Sequence, residues 1–338
     1  MVRVGIIGAS GYTGAELLRL CAQHPEFEVA YATGDTQAGV RAAELYPSLA
    51  ARYPDLMFES FDAERAAGLD LVFLGLPHEA SMAMAPQLVG RVRCVVDLSA
   101  AYRLKDASAY PQWYGFQHDQ PDLLASAVYG LPELHRAALQ GAALVATPGC
   151  HVTAATLALA PLVRCGLVET SGVVVNSITG VSGAGRTPKH NTMFCTVDED
   201  VQAYGLLDHR HTPEIEQEVG AQVLFTPHLA PMNRGILATC YAQPSAGATT
   251  ESVLDALHAA YEGEPFVVVG QASPSTKATL ASNAAHLTAR VDQRTGTVVV
   301  LSAIDNLTKG ASGGAVQAAN VALGLPETMG LSSVGLFP

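Results

Sequence analysis

An α/β chain in two parts is what the sequence predicts, and three observations carry that reading. Apolar runs of strand length alternate with helical stretches through the first 146 residues. The first strand runs into glycines at 8, 11 and 14 and then into a helix. From residue 172 onward strand signals, one of them a hairpin, replace the alternation. The expected architecture is a Rossmann-type dinucleotide-binding domain over 1–146 and 311–338 and a second, α+β domain over 147–310.

The 338 residues are enough for two domains with buried cores. The net charge of -12 is spread along the chain, which argues against a nucleic-acid or anionic-membrane partner. Six cysteines stand at 21, 94, 150, 165, 195 and 240, without a CxxC pair or a zinc-like spacing with histidine, so no metal is expected. The chain opens on strand pattern and holds no apolar run of bilayer-spanning length, so a cytoplasmic location is the expectation.

In chain order, residues 2–7 form a buried strand that ends in Gly8-Ala9-Ser10-Gly11-Tyr12-Thr13-Gly14, followed by an amphipathic helix stopped by Pro25. Glycines there let the backbone approach a pyrophosphate, and the helix start supplies N–H donors and positive potential. Residues 27–32 are the second strand, ending at Thr33-Gly34-Asp35, where such folds choose between a ribose hydroxyl and a 2′-phosphate. Asp35 accepts from a hydroxyl and repels a phosphate, yet Arg41 follows closely, so charge leaves NAD and NADP both open. A third strand over 69–76 puts Pro77 and His78 on the rim where ligands bind; His78 either meets the cofactor or caps the next helix. The fourth strand, 94–99, leads to Arg103, suited to a two-point grip on an anion. Residues 110–135 read as an ordered aromatic and proline-rich excursion.

A strand over 144–146 then delivers Thr147-Pro148-Gly149-Cys150 at the start of a helix. Unpaired N–H groups and the helix dipole favour thiolate over thiol at that position, so Cys150 reads as a nucleophile. The strand at 172–178 runs into Ser182-Gly183-Ala184-Gly185-Arg186, whose N–H groups and fixed charge suit a phosphate or carboxylate. In Asp208-His209-Arg210-His211-Thr212-Pro213-Glu214, Thr212 is the expected N-cap, and a histidine just ahead of it is a candidate general acid and base for Cys150. Residues 222–242 and 286–304 carry strand signals, the latter turning at Arg294-Thr295-Gly296. A small-residue helix after 310 returns the chain to the first domain.

These pieces, in this order and over essentially the whole chain, resemble the N-acetyl-γ-glutamyl-phosphate reductases, relatives of aspartate-semialdehyde dehydrogenase. The resemblance rests on GASGYTG at 8–14, LPH at 76–78, DLSAAYRLKD at 97–106, YGLPEL at 129–134 and TPGC at 147–150. It continues through SGAGR at 182–186, HRHTPEI at 209–215, RGIL at 234–237 and AIDNLTKG at 303–310. The resemblance implies a second domain that is catalytic and dimerising, like those of glyceraldehyde-3-phosphate and aspartate-semialdehyde dehydrogenases. It implies that Cys150 attacks a small acyl phosphate to give a thioester that NADP(H) reduces to the semialdehyde. His211 is the implied acid–base, with His209 its close rival and Glu214 the orienting group. Arg103, Ser182 and Arg186 are the implied substrate-binding residues. The cofactor set is Gly8, Ser10, Gly11, Tyr12, Thr13, Gly14, Thr33, Pro77, His78, Ser182, Gly183 and Asn306. A homodimer or homotetramer is implied.

Two stretches depart from the pattern. The segment after the nucleophile is commonly Tyr-Pro-Thr and here is His151-Val152-Thr153; an Ala-Asp-Phe-Arg-Leu run is here Ala100-Ala101-Tyr102-Arg103-Leu104. Asp35 also weakens the inherited NADP preference. A related branch reduces the carrier-protein-linked aminoadipyl phosphate of lysine biosynthesis, but Arg186 and Pro148 favour the arginine pathway. From another class, a dinucleotide-binding redox sensor would bind cofactor without turnover.

Overall fold

A computed structural model describes residues 1–338, and the chain divides into two compact units: Met1–Pro148 with Ala311–Leu331, and Gly149–Gly310 with Ser332–Pro338. The expected boundaries differ at two points. Thr147 and Pro148 stay with the first unit, where the Thr147 N–H and hydroxyl both donate to the Asp97 carbonyl at 2.9 and 3.0 Å. The last seven residues join the second unit rather than the first. Ser332 accepts from the Asn283 N–H at 2.7 Å, and the Leu336 N–H donates to the Leu280 carbonyl at 2.9 Å.

The first unit is built on six parallel strands: β1 (Val2–Ile7), β2 (Phe27–Ala32), β3 (Leu71–Leu74), β4 (Cys94–Asp97), β5 (Val128–Tyr129) and β6 (Leu144–Ala146), in the order β2-β1-β3-β4-β6-β5. The central strands are buried throughout and apolar except for Asp97 at the end of β4, as a sheet covered on both faces requires. One face packs on Leu17, Leu18 and Cys21 of helix Tyr12–Gln23 and on Val316, Ala319 and Leu323 of helix Gly313–Leu323. The other packs on Ala85 and Leu88 of helix His78–Leu88 and on Tyr102 and Tyr110. Strand order reverses between β1 and β3, the switch point outside whose strand ends such sheets bind ligands.

The excursion at 110–135 contains helices Tyr110–Tyr114 and Pro121–Ser126 and the edge strand β5, too short to leave a periodic signal.

The second unit is a seven-stranded mixed sheet. Its strands are β7 (Val173–Gly180), β8 (Gln202–Ala203), β9 (Val223–Ala230), β10 (Ile236–Ala242), β11 (Val267–Val269), β12 (Ala285–Asp292) and β13 (Thr297–Ile304), ordered β11-β12-β13-β10-β7-β9-β8. β7 pairs with β9 in parallel, and antiparallel with β10. Helix Cys150–Arg164 is buried along nearly all its length and covers one face beside helices Thr212–Val219 and Thr250–Ala260. On β7 the buried and half-buried residues alternate, the signature of a sheet packed on that face alone. Helix Thr250–Ala260, closed by a Thr249–Ser252 capping box, was not among the elements expected from sequence.

Candidate active site

Cys150 begins its helix, with Gly149 as the N-cap, so the thiol stands at the positive end of a 15-residue helix. It is partly exposed, whereas Cys21, Cys94 and Cys240 are buried and burial pushes each of those thiols up to about 12. A Cβ added to Gly310 would come within 2.8 Å of the Cys150 Cβ, so the backbone at 310 forms a wall of the nucleophile's pocket.

His211 lies against the same turn: a Cβ added to Gly149 would be 2.4 Å from His211 Nε2. His211 is itself the N-cap of helix Thr212–Val219, one residue before the expected Thr212, and Pro213 occupies the second helical position. Glu214 is completely buried, and its Oε1 accepts from the Gly149 N–H at 3.0 Å. This carboxylate, expected to orient a histidine, holds the backbone beside the nucleophile. The helix start that presents His211 is thereby tied to the one that presents Cys150.

Three imidazoles cluster here. Ring centroids of His209 and His211 are 4.8 Å apart, and His151 lies 5.8 and 5.6 Å from them. The His209 Nδ1 accepts from the His211 N–H at 3.1 Å, so it carries no proton. Burial depresses His209 to about 4, with Arg210 opposing its charge further. Burial depresses His151 to about 3, helped by His209. Both rings are therefore neutral at neutral pH.

Sequence reading singled out His151 only as a departure and missed Tyr204, Ser177 and Phe225 altogether. His151 bonds to the Ser177 Oγ at 2.7 Å and the Tyr204 Oη at 3.0 Å, and Phe225 packs on His151 and His209 at 5.5 and 5.1 Å. The neighbours come from β7, β9 and the turn after β8, and no local pattern announces that alignment.

The Ser182–Arg186 turn follows β7 as expected. Asn306 ties it to the 232–235 turn: its Nδ2 donates to the Ser182 Oγ at 3.0 Å and its Oδ1 accepts from the Gly235 N–H at 2.7 Å. Arg186 is half-buried in that turn; Arg234, in the 232–235 turn, pairs with buried Asp305 at 3.6 Å.

In the first unit, Gly8 has a φ of +87° and its Cβ would fall 2.4 Å from the Gly75 carbonyl, so both close-packed turns of the switch point demand glycine there. Gly14 meets the Ala9 backbone at 2.4 Å. A Cβ added to Gly11 would meet nothing closer than 3.7 Å, which leaves room for a phosphate at the start of helix Tyr12–Gln23. These residues fit a dinucleotide. Tyr12 is 36% exposed beside them. Thr33 is buried and its Oγ1 accepts from the Gly8 N–H at 3.1 Å, while the Ser10 Oγ donates to the Gly34 carbonyl at 3.1 Å, so both brace the glycine turn. His78 is the first residue of its helix behind Pro77; its Nδ1 accepts from the Ala100 N–H at 2.9 Å and tethers the loop that carries Arg103. Arg103 is 7% exposed and one guanidinium nitrogen donates to the Leu98 carbonyl at 2.8 Å. Across the chain no group of three or more His, Cys, Asp or Glu could hold a metal ion, and no helix is long and apolar enough to cross a membrane.

Comparison with known proteins sets the class first. Residues 3–142 match the NAD binding domain of the semialdehyde dehydrogenases, and residues 150–306 match their dimerisation domain. Solved structures of aspartate semialdehyde dehydrogenase share the fold. That of enzyme II from Vibrio cholerae, complexed with ASA, has a TM-score of 0.71 at 17% identity and covers 96% of this chain and 98% of that one. The Candida albicans enzyme with NADP has a TM-score of 0.69 at 14% identity, covering 95% and 98%. Two N-acetyl-gamma-glutamyl-phosphate reductases are far more similar in sequence. One from Symbiobacterium thermophilum is 48% identical over 99% of this chain and 98% of its own; one from Geobacter sulfurreducens is 47% identical over the whole of both. The chain belongs to the N-acetyl-gamma-glutamyl-phosphate reductase family and is an oxidoreductase.

Proposed function

We propose that this enzyme reduces N-acetyl-γ-glutamyl phosphate to N-acetylglutamate 5-semialdehyde and phosphate, in arginine biosynthesis in the cytoplasm, as a homodimer or homotetramer. The observation that carries the mechanism is the turn that sets His211 Nε2 against Gly149, one residue from the thiol of Cys150. His211 takes the Cys150 proton; the thiolate bonds to the acyl carbon, and phosphate leaves with the electrons of the broken C–O bond. The dinucleotide, when bound, supplies the hydride that reduces the thioester. His211 gives its proton to the oxygen of the resulting hemithioacetal and takes it back as the C–S bond breaks and Cys150 leaves as thiolate. His209 has its Nδ1 taken up by the His211 N–H and its imidazolium disfavoured by burial, so His211, with Nε2 against Gly149, is the proposed acid–base and His209 its rival. Glu214 fixes the turn between them.

Ser182, Arg186 and Arg103 are the proposed grips for the substrate's anionic groups. Gly8, Ser10, Gly11, Tyr12, Thr13, Gly14, Thr33, Pro77, His78, Ser182, Gly183 and Asn306 are the proposed cofactor set, with Thr33 and Ser10 acting through the glycine turn. NADP is the proposed cofactor; Asp35 and Arg41, both exposed after β2, are the side chains that would decide it against NAD.

The test runs the reaction backward, because the acyl phosphate is labile. Semialdehyde, phosphate and NADP should give a phosphate-dependent rise in reduced-cofactor absorbance that exceeds the rise with NAD. No rise with either cofactor would remove the substrate assignment. Cys150→Ser should lower the rate by about 10⁴-fold or more while leaving dinucleotide affinity unchanged, since a hydroxyl lacks thiolate nucleophilicity. Residual activity above that would exclude the thioester.

A further inference from the structure

Three residues far apart in sequence line up across the second unit's sheet. Ser177 of β7 is in register with Pro227 of β9, and the Tyr204 N–H donates to the Pro227 carbonyl at 3.1 Å from the edge of that sheet. His151 lies over this row and spans it, with Nδ1 on Ser177 and Nε2 on Tyr204.

The tautomer follows from hydrogen-bond accounting. Ser177 is completely buried, and His151 is the partner its hydroxyl has. Were Nδ1 to carry the proton, the Ser177 hydroxyl proton would be buried with no acceptor, a costly state. So Ser177 donates to Nδ1, the ring proton sits on Nε2, and Nε2 donates to the Tyr204 oxygen. Tyr204's own proton then points away from His151. Burial, and after it the charge of Cys150, pushes this phenol's pKa up, so it stays protonated and a donor, and its ring packs on His209 at 5.5 Å within the imidazole cluster beside the nucleophile's turn.

We infer that His151, locked by Ser177, is a positioning residue that turns the Tyr204 hydroxyl into a hydrogen-bond donor toward Cys150 and the oxygen that develops there. The inference deepens the mechanism above and rests on Cys150 being its nucleophile. It also gives the His-Val-Thr departure after the nucleophile a purpose. No proton leaves the relay; it sets direction only.

The test is a double-mutant cycle on Ser177→Ala and Tyr204→Phe, read in two ways: kcat, and the rate at which iodoacetamide alkylates Cys150 at neutral pH. Tyr204→Phe should slow both by about tenfold, the scale of one neutral hydrogen bond. Ser177→Ala should lower both severalfold in the Tyr204 background and have no further effect in the Tyr204→Phe background. Equal effects in both backgrounds, or none in either, would overturn the relay. Should Ser177→Ala fail to fold, His151→Gln against His151→Leu replaces it: the glutamine amide can still donate to Tyr204 and should recover most of what leucine loses. Equal losses in those two variants would also overturn it. Because alkylation needs no substrate, it separates a failed relay from a failed substrate assignment.

Discussion

Gly149 is a residue whose contribution is the side chain it lacks. Its backbone, at φ -66° and ψ 149°, suits any amino acid, so alanine there carries no conformational strain. The methyl group would nonetheless fall 2.4 Å from His211 Nε2 and push the imidazole off the nucleophile's turn. Gly149→Ala should therefore cut kcat/KM by about 10²-fold or more, the cost of an ångström-scale misplacement, with the melting temperature close to that of the parent. Full activity in that variant would show that His211 does not act from this position. The same scale shows what sequence alone conveys. Cys150 stood out as a candidate because a Pro-Gly turn and a helix start favour thiolate locally; the residues alone pointed to a histidine ahead of the Thr-Pro-Glu helix start, and the family resemblance chose His211 over His209. Glu214 stood out as a candidate orienting group, but its bond to the Gly149 N–H did not, since Gly149 lies 65 positions away. Tyr204 and Ser177 carry no local signal; they matter because of strand register.

Among the elements, the first strand–turn–helix unit was readable because glycine has only one economical use at Gly8, although the helix begins at Tyr12, inside the turn expected to run to Gly14. Its φ of +87° and the Gly75 carbonyl 2.4 Å from a would-be Cβ both forbid a side chain. Gly8→Ala should lose about 1–2 kcal/mol to backbone strain alone and abolish nucleotide binding, checked by thermal melting and by titration of NADPH fluorescence. Unaltered binding would dissociate the switch point from the cofactor site. Strands of six to eight residues showed themselves through apolar runs and alternation. The edge strands β5, β8 and β11, of two or three residues each, did not, because a period needs several repeats to be seen. Helix Gly313–Leu323 is buried all round, so it has no polar face to mark its orientation; its alanines and glycines indicated close packing and nothing about its neighbours.

The whole molecule should be sensitive to mild acid. Burial depresses His24, His118, His151, His209 and His286 below the ordinary histidine range, with His151 at about 3 and His209 at about 4. A histidine kept neutral in the folded state takes up its proton more readily once unfolded. Its contribution is complete above the unfolded value near 6.5 and is lost as pH falls toward the folded one. Between about pH 6.5 and 4, His151 and His209 should therefore each weaken stability by up to about 1.4 kcal/mol per pH unit, and the other three act in the same direction below 6.5. Urea melts across that window should show a steep fall, and His151→Gln should flatten it by close to one proton. An unchanged slope would mean that His151 is not buried neutral.

The covalent path adds one more consequence. The chain passes from one unit to the other at 148/149, at 310/311 and again at 331/332, so neither unit is a contiguous segment. A fragment ending at Pro148 would leave the sheet face that packs on Val316, Ala319 and Leu323 open to water. Anyone wishing to express the nucleotide-binding unit by itself would have to graft residues 311–331 onto residue 148 through a linker. Cutting the gene once, anywhere, yields two incomplete molecules.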